Sequence, residues 1–290
     1  EAAEDKKKDS WFSDRSDIVK NKIIVVTGGA QGFGRGIVEE LYKQGANVIL
    51  ADINDEKGLE AAGELNCPSS GSLVKFVHTD VSSPESFENL VSETVKEFGG
   101  ADAFISNAGI LRAGNLSEMD PKTFDLMTRI NYSAYFYGTK AFNPVFMLQN
   151  KYNKSLFFDI IQINSKSGLK GSNKNFAYAG GKFGGIGLTQ SFALEMMPYN
   201  VKVNSICPGN FFDGPLWSDP ENGLFVQYLQ TGKVKGAKNI EDVKKFYEAQ
   251  VPANRGCRVE DVMKAVYYII DQEYETGQAV PVTGGQTMLN

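Results

Sequence analysis

The chain has 290 residues, 42% of them hydrophobic, with 30 Lys and Arg against 35 Asp and Glu and a net charge of −5. That length can bury a full core, and the well-mixed charge leaves no basic surface for nucleic acid. Cys67, Cys207 and Cys257 are scattered without a Cys-x-x-Cys pair, and His78 is the single histidine, so the sequence offers no pattern for a metal site. No apolar run has membrane length, and an odd number of thiols points to a reducing cytoplasm.

Residues 1 to about 20 read as a solvated, flexible extension carrying Lys6-Lys7-Lys8, with Trp11 and Phe12 as the exception, a pair that either packs back on the body or a partner subunit or stays in solvent. Glu1 stands where an initiator Met would, which suggests trimming or a cut from a longer chain. The remainder, 21–290, alternates strand and helix and reads as a single domain. Strands are predicted near 23–27, 47–51, 73–78, 102–106, 157–164, 201–207 and 278–282. Helices are predicted near 32–44, 55–65, 84–98, 121–149, 176–197, 216–230, 240–250 and 259–271. Such alternation gives an α/β, Rossmann-like doubly wound fold: a seven-stranded parallel sheet with helices on both faces and ligands at the carboxyl ends of the strands.

The first strand, Ile23-Ile24-Val25-Val26, runs into Thr27-Gly28-Gly29-Ala30-Gln31-Gly32-Phe33-Gly34 and then a helical pattern at Ile37, Val38 and Leu41. Glycines permit a sharp turn and close approach to a pyrophosphate, and the helix N-terminus presents free N–H groups to it. The second strand ends in Asp52, followed by Ile53, about twenty positions on, where a carboxylate accepts hydrogen bonds from the adenosine ribose. With no Arg or Lys in the turn or next to Asp52, a 2′-phosphate would meet an uncompensated carboxylate, so the expected cofactor is NAD.

Further along, Tyr178 and Lys182 stand four apart on a predicted helix, thirteen residues after Ser165. Side chains at that spacing share a helix face, so the ammonium can lie beside the phenol. A nearby cation favours phenolate and lowers a pKa that is ordinarily about 10, which suits proton transfer in alcohol oxidation or ketone reduction. Tyr-x-x-x-Lys alone is common on helices; the constellation gives it weight.

Together these residues resemble the short-chain dehydrogenase/reductase family from about Asn21 onward. The Thr-Gly-x-x-x-Gly-x-Gly spacing is the one that family uses, and Ser165, Tyr178 and Lys182 match its catalytic trio. The resemblance further implies a catalytic role for Asn131, and cofactor contacts from Gly28, Gln31, Gly32, Phe33, Gly34, Asp52, Ile53, Asp80, Val81, Asn107, Ala108, Gly109, Tyr178, Lys182, Pro208 and Gly209. One departure is Asp213, where the family often has Thr, which leaves Asn210 or main-chain groups to bond the nicotinamide amide. Segments around Ile160–Gly168, Lys182–Ser191, Gln250–Cys257 and Val282–Gln286 narrow the resemblance to members that interconvert a hexitol phosphate and fructose 6-phosphate.

For the sugar or polyol phosphate, Arg112 ranks first as an anion ligand and Lys166, beside Ser165, second, with Asn210 a further substrate contact. The stretch 211–255, rich in Gly, Lys and aromatics, reads as a substrate-closing lid. The same chemistry on another polyol, sugar or 3-oxoacyl carbonyl is the alternative, and a non-catalytic NAD-sensing protein on the same fold a second one. The resemblance also implies a homotetramer built on the helices near 121–149 and 176–197.

Overall fold

The computed structural model describes residues 14–67, 71–171, 175–221, 223–230 and 232–288. Trp11, Phe12 and the lysine run lie outside these. The elements are α1 (Ser16–Val19), β1 (Ile23–Thr27), α2 (Gly32–Lys43), β2 (Asn47–Asp52), α3 (Asp55–Leu65), β3 (Val74–His78), α4 (Pro84–Phe98), β4 (Ala103–Ser106), α5 (Pro121–Thr128), α6 (Ala134–Tyr152), β5 (Phe158–Ile163), α7 (Phe176–Met196), β6 (Val201–Pro208), α8 (Pro215–Ser218), α9 (Leu224–Gln230), α10 (Ile240–Glu248), α11 (Val259–Asp271) and β7 (Ala279–Val282).

The seven strands pair in the order β3-β2-β1-β4-β5-β6-β7, all parallel. Strands buried on both faces read as near-continuous apolar runs, as β1 and β2 do, whereas β5 and β6 are equally buried but interleave Asp159, Gln162, Lys202, Asn204 and Ser205 with their apolar residues. One face packs on α2 and α11 through Ile37, Val38, Leu41, Val262, Val266 and Ile269; the other packs on α4, α6 and α7 through Phe87, Leu90, Phe142, Phe146 and Ala193. Strand order reverses between β1 and β4, which opens a crevice at the carboxyl ends of those strands. Local signals start the helices: Asn54, Ser83, Asp120 and Asn239 each accept a backbone N–H as N-caps, and Pro84 and Pro121 follow two of them.

The predicted flexible extension ends before Lys20, because Ser16–Val19 is a helical turn and Val19 is fully buried in the first core. The long helix expected at 121–149 is two, joined by a π-helical turn at Arg129–Ser133 that carries Asn131. The helix expected at 216–230 is also two. Pro220 disfavours a helical conformation for the residue before it, and Asp219 is extended with ψ 126°. The segment 211–255 has its own core of Phe212, Trp217, Leu224, Phe225, Tyr228, Val234, Val243 and Val251. Among the described residues no helix is long and apolar enough to cross a membrane.

Candidate active site

The turn after β1 and the turn after β4 are bonded to each other at the crevice. Thr27 Oγ1 accepts the Asn107 and Ala108 N–H groups at 3.0 and 3.2 Å, while Asn107 Nδ2 donates to the Thr27 and Gly28 carbonyls at 2.9 and 3.1 Å. Gly28 and Gly32 sit at φ +65° and +62°, a region that suits glycine. A Cβ on Gly34 would stand 2.0 Å from the Gly28 carbonyl oxygen, so the turn closes only around glycine. This cradle, heading a twelve-residue helix, fits a dinucleotide pyrophosphate.

At the edge of the cradle, Asp52 holds the turn by accepting the Ala30 N–H through Oδ2 and the Asn54 N–H through Oδ1, each at 3.0 Å. Ile53 beside it is exposed. The sequence shows no Arg or Lys within the turn or next to Asp52, yet the fold brings a cation to the turn: Lys57 Nζ donates to Gln31 Oε1 at 3.2 Å. Arg35, just past the glycines, is turned away onto Glu39 and Glu64 at 2.6 and 2.9 Å. Asp80 caps its own loop by accepting the Ser82 N–H, and Val81 packs on the second core.

Ser165 follows β5 in extended backbone, and its hydroxyl accepts the Ser167 N–H at 3.1 Å. Tyr178 lies in the first turn of α7, with Lys182 one turn on. Burial raises the Tyr178 phenol above its usual pKa, and a hydrogen bond with Ser165 partly offsets this. The expected lowering by Lys182 is not met in the free chain. The Lys182 ammonium lies 5.6 Å from the centre of the Tyr178 ring and donates to the Ile163 carbonyl at 2.9 Å. Burial lowers Lys182 itself to about 8. Cys207, fully buried on β6, borders both groups, and its thiol is pushed up to about 12 by burial.

Asn131 is buried with both side-chain ends engaged on Ile110: Oδ1 accepts its N–H at 3.1 Å and Nδ2 donates to its carbonyl at 2.8 Å. A Cβ on Gly109 would lie 2.9 Å from Asn131 Oδ1 and 3.8 Å from Lys182 Nζ, so the two end groups border one small space. Pro208 and Gly209 end β6, and the Asn210 carbonyl accepts the Cys257 N–H at 2.8 Å. Asp213 is exposed and pairs with Lys244 at 3.2 Å.

The tentative anion ligands separate. Arg112 is exposed, whereas Lys166 is half-buried beside Ser165, and burial together with the like charge of Lys170 lowers its pKa. Arg255, on a cavity of about 460 Å³ lined by Asn210, Thr283 and Gln286 among others, is already bound by both carboxylate oxygens of Asp261, at 2.6 and 2.9 Å. Among the described residues no three His, Cys, Asp or Glu converge as a metal site. Sequence reasoning missed Lys57, Arg255 and the polar side chains Gln162 and Asn164, although their alternation with Ile161 and Ile163 was a visible signal that one face of β5 is polar.

The short chain dehydrogenase family model matches residues 22–217. This chain belongs to the short-chain dehydrogenase/reductase family. The sorbitol-6-phosphate 2-dehydrogenase of Escherichia coli is 33% identical over 271 residues, covering 93% of this chain and 100% of that protein. The trans-4-hydroxycyclohexanecarboxylate dehydrogenase of Sinomonas cyclohexanicum is 29% identical, covering 95% and 96%. The crystal structure of the Erwinia amylovora sorbitol-6-phosphate 2-dehydrogenase superposes with a TM-score of 0.82 at 32% identity, covering 92% of this chain and 100% of that one. The Rossmann-like seven-stranded parallel sheet expected from sequence is the fold observed. The protein is an oxidoreductase of the alcohol-dehydrogenase type using NAD or NADP.

Proposed function

We propose that this dehydrogenase oxidises the C2 hydroxyl of a hexitol phosphate with NAD, converting sorbitol 6-phosphate to fructose 6-phosphate, and runs the reverse reduction. The observation that carries this reading is 33% identity along the full length of the E. coli sorbitol-6-phosphate 2-dehydrogenase. A half-buried Lys166 without an acidic partner in any ion pair between described residues, beside Ser165, supports an anionic substrate. The second reading, another anionic secondary alcohol, is favoured by the 29% identity to trans-4-hydroxycyclohexanecarboxylate dehydrogenase.

In this reading Ser165 bonds the substrate oxygen and steadies charge developing on it. Tyr178, ionised, accepts the hydroxyl proton; in reduction the neutral phenol returns it. The nicotinamide, when bound, supplies the hydride acceptor or donor. Lys182 leaves the Ile163 carbonyl to bind the nicotinamide ribose and favours the Tyr178 phenolate. Asn131 Oδ1 keeps a second lone pair for a water beside Gly109, which relays the proton from Lys182 towards solvent. Gly28, Gln31, Gly32, Phe33 and Gly34 hold the pyrophosphate, Asp52 the adenosine ribose, Ile53, Asp80 and Val81 the adenine, and Asn107, Ala108, Gly109, Pro208, Gly209 and Asn210 the nicotinamide half.

NAD is preferred because Asp52 faces the ribose, although Lys57 offers some relief to a 2′-phosphate. Residues 21–290 act as one domain whose lid spans roughly 211–255. A homotetramer is supported by apolar side chains exposed on α5, α6 and α7, among them Phe124, Phe136, Phe183 and Leu194, the last 83% exposed, and a cytoplasmic location by the odd number of cysteines. The deciding experiment follows NADH absorbance with sorbitol 6-phosphate, other hexitol phosphates, free sorbitol, 4-hydroxycyclohexanecarboxylate and a 3-oxoacyl thioester, each with NAD(H) and NADP(H). Highest kcat/KM for a hexitol phosphate with NAD is expected; a better non-phosphorylated substrate, or NADP preference, overturns the corresponding half.

A further inference from the structure

Behind the trio lies a row of buried polar side chains that takes no part in the chemistry just described. Asn164 is 4% exposed and bridges two main-chain groups: its Oδ1 accepts the Ser165 N–H at 2.8 Å, and its Nδ2 donates to the Lys182 carbonyl at 2.9 Å. The same Nδ2 donates to Gln162 Oε1 at 2.7 Å, which also accepts from Ser205 Oγ at 3.1 Å. Ser205 Oγ meets Thr189 Oγ1 at 2.6 Å, and Thr189 meets the Tyr135 hydroxyl at 3.2 Å. Tyr135 stands four residues after Asn131. The row therefore joins α6, α7, β6 and β5, the elements around Asn131, Lys182, Cys207 and Ser165.

Two glycines make room for it. A Cβ on Gly168 would lie 2.2 Å from Asn164 Oδ1, and one on Gly185 would lie 2.5 Å from Gln162 Nε2. Burying five polar side chains is costly unless each finds partners, and a fully bonded row is correspondingly rigid. An apolar β5–α7 seam would give ordinary packing at lower cost, so stability alone is a poor reason for these residues. Both ends of the Asn164 bridge are the main chains of residues in the proposed trio, and Lys182 is fixed twice to the end of β5, through Asn164 and through its own ammonium on Ile163.

We infer that Asn164, backed by Gln162, is a positioning residue for the dehydrogenase reaction: its amide clamps the main chains of Ser165 and Lys182 at a fixed separation, so that the Ser165 hydroxyl and the Tyr178–Lys182 helix face converge on one substrate oxygen. This rests on the proposed roles of Ser165, Tyr178 and Lys182. Misplacement by about 1 Å costs on the order of 10²-fold in rate. Asn164→Ala removes the clamp, and kcat should fall at least tenfold while NADH affinity, read by fluorescence, stays within about threefold.

Asn164→Asp is isosteric and is the second variant. A carboxyl there is protonated more readily than usual because it is buried; its neutral form has one O–H and keeps one of the amide's two donations, that to the Lys182 carbonyl, whereas the carboxylate keeps neither. The titratable groups around it are Tyr178 and Lys182 on α7, Cys207 on β6, Tyr135 at the far end of the row and Lys166 in the turn after Ser165, whose shifts the wild-type profile already contains. Asn164→Asp should therefore come closest to wild type at the acid end of the profile and lose activity as pH rises, a titration that wild type lacks. The clamp is overturned if folded Asn164→Ala keeps kcat within threefold, or if Asn164→Asp follows the wild-type pH profile; should the alanine variant not fold, the aspartate variant decides. Tyr178→Phe is run alongside. If it stays active, the reading of the trio fails first; if it is inactive while both Asn164 variants behave as wild type, only the clamp fails.

Discussion

The ring of Phe211 stacks on that of Phe33, with centroids 4.3 Å apart and planes 16° from parallel. Phe33 belongs to the glycine turn and Phe211 opens the lid, so the two parts share one contact. Pro215, at the start of α8, also lies 3.8 Å from where a Gly32 Cβ would stand. If 211–255 closes as the proposed lid, these contacts link its closure to occupation of the pyrophosphate cradle. An aromatic pair contributes about 0.5–1.5 kcal/mol beyond its buried area. Phe211→Ala should weaken NADH binding about two- to tenfold and raise the substrate KM in parallel. Unchanged Kd and KM in fluorescence titration and steady-state kinetics would show that the stack does not couple them.

The raised Tyr178 pKa sets the direction of the pH profile. Alcohol oxidation requires the phenolate, and burial places its formation above the ordinary tyrosine range. The rate of oxidation should thus climb with pH through neutrality, whereas reduction, which uses the neutral phenol, is at full strength at neutral pH. Lys182 begins to lose its charge near pH 8, so kcat/KM for oxidation bends over on the alkaline side instead of climbing without limit. The two apparent values belong to the coupled pair. Tyr178→Phe should lower kcat by about 10²–10⁴-fold with NADH binding intact. An oxidation optimum below pH 7, or a loss under tenfold in the variant, contradicts the assignment of Tyr178.

Much of this architecture was legible because β-branched runs, glycine turns and capping residues act locally. Each of the seven strands lies within about one residue of its expected bounds, for instance Ile23–Thr27 and Val74–His78. What sequence could not show depends on side chains meeting across the fold. The π turn at Asn131 has no local cause as visible as a proline. Lys57 reaches Gln31 from twenty-six residues away, and the Asn164 row needs four elements assembled before it exists. The lowered Tyr178 pKa read from the four-residue spacing is not met because burial raises the phenol, while Lys182 donates to the Ile163 carbonyl. Sequence proximity gave Arg112 and Lys166 equal access to the site; burial separates them.

That separation makes a testable choice of phosphate ligand. Lys166 pays a desolvation cost, and Lys170 adds repulsion, which a bound dianion would relieve. Lys166→Met, retaining the stem and removing the charge, should raise KM for sorbitol 6-phosphate by at least tenfold and leave KM for free sorbitol within about twofold. Arg112→Ala, at an exposed position, should change either KM by less than threefold. Equal effects of Lys166→Met on both substrates would remove Lys166 from phosphate recognition, and a larger effect of Arg112→Ala would restore the ranking expected from sequence.

At the opposite end of the sheet, Lys202 and Asp159 form a buried ion pair at 3.0 Å between the second residues of β6 and β5. The contact is ionic more than a directed hydrogen bond, since Asp159 Oδ1 has no well-aligned donor. The Lys202 ammonium also donates to the Ile269 and Gln272 carbonyls, holding the last turn of α11, where a cation favours the helix dipole. Burial raises the Asp159 carboxyl to about 6. A carboxyl with a higher pKa in the folded state binds its proton more tightly there, so this group's contribution to stability falls as pH rises from about 4 to about 6 and is level above. Lys202→Met leaves the carboxylate buried alone and the helix end uncapped, a change expected to cost about 3–5 kcal/mol at pH 7 in urea unfolding. Adding Asp159→Asn should recover part of that loss by removing the orphaned charge, and acidification to pH 5 should narrow the gap between Lys202→Met and wild type. A loss under about 1 kcal/mol, or no recovery in the double variant, would mean that the pair contributes packing alone.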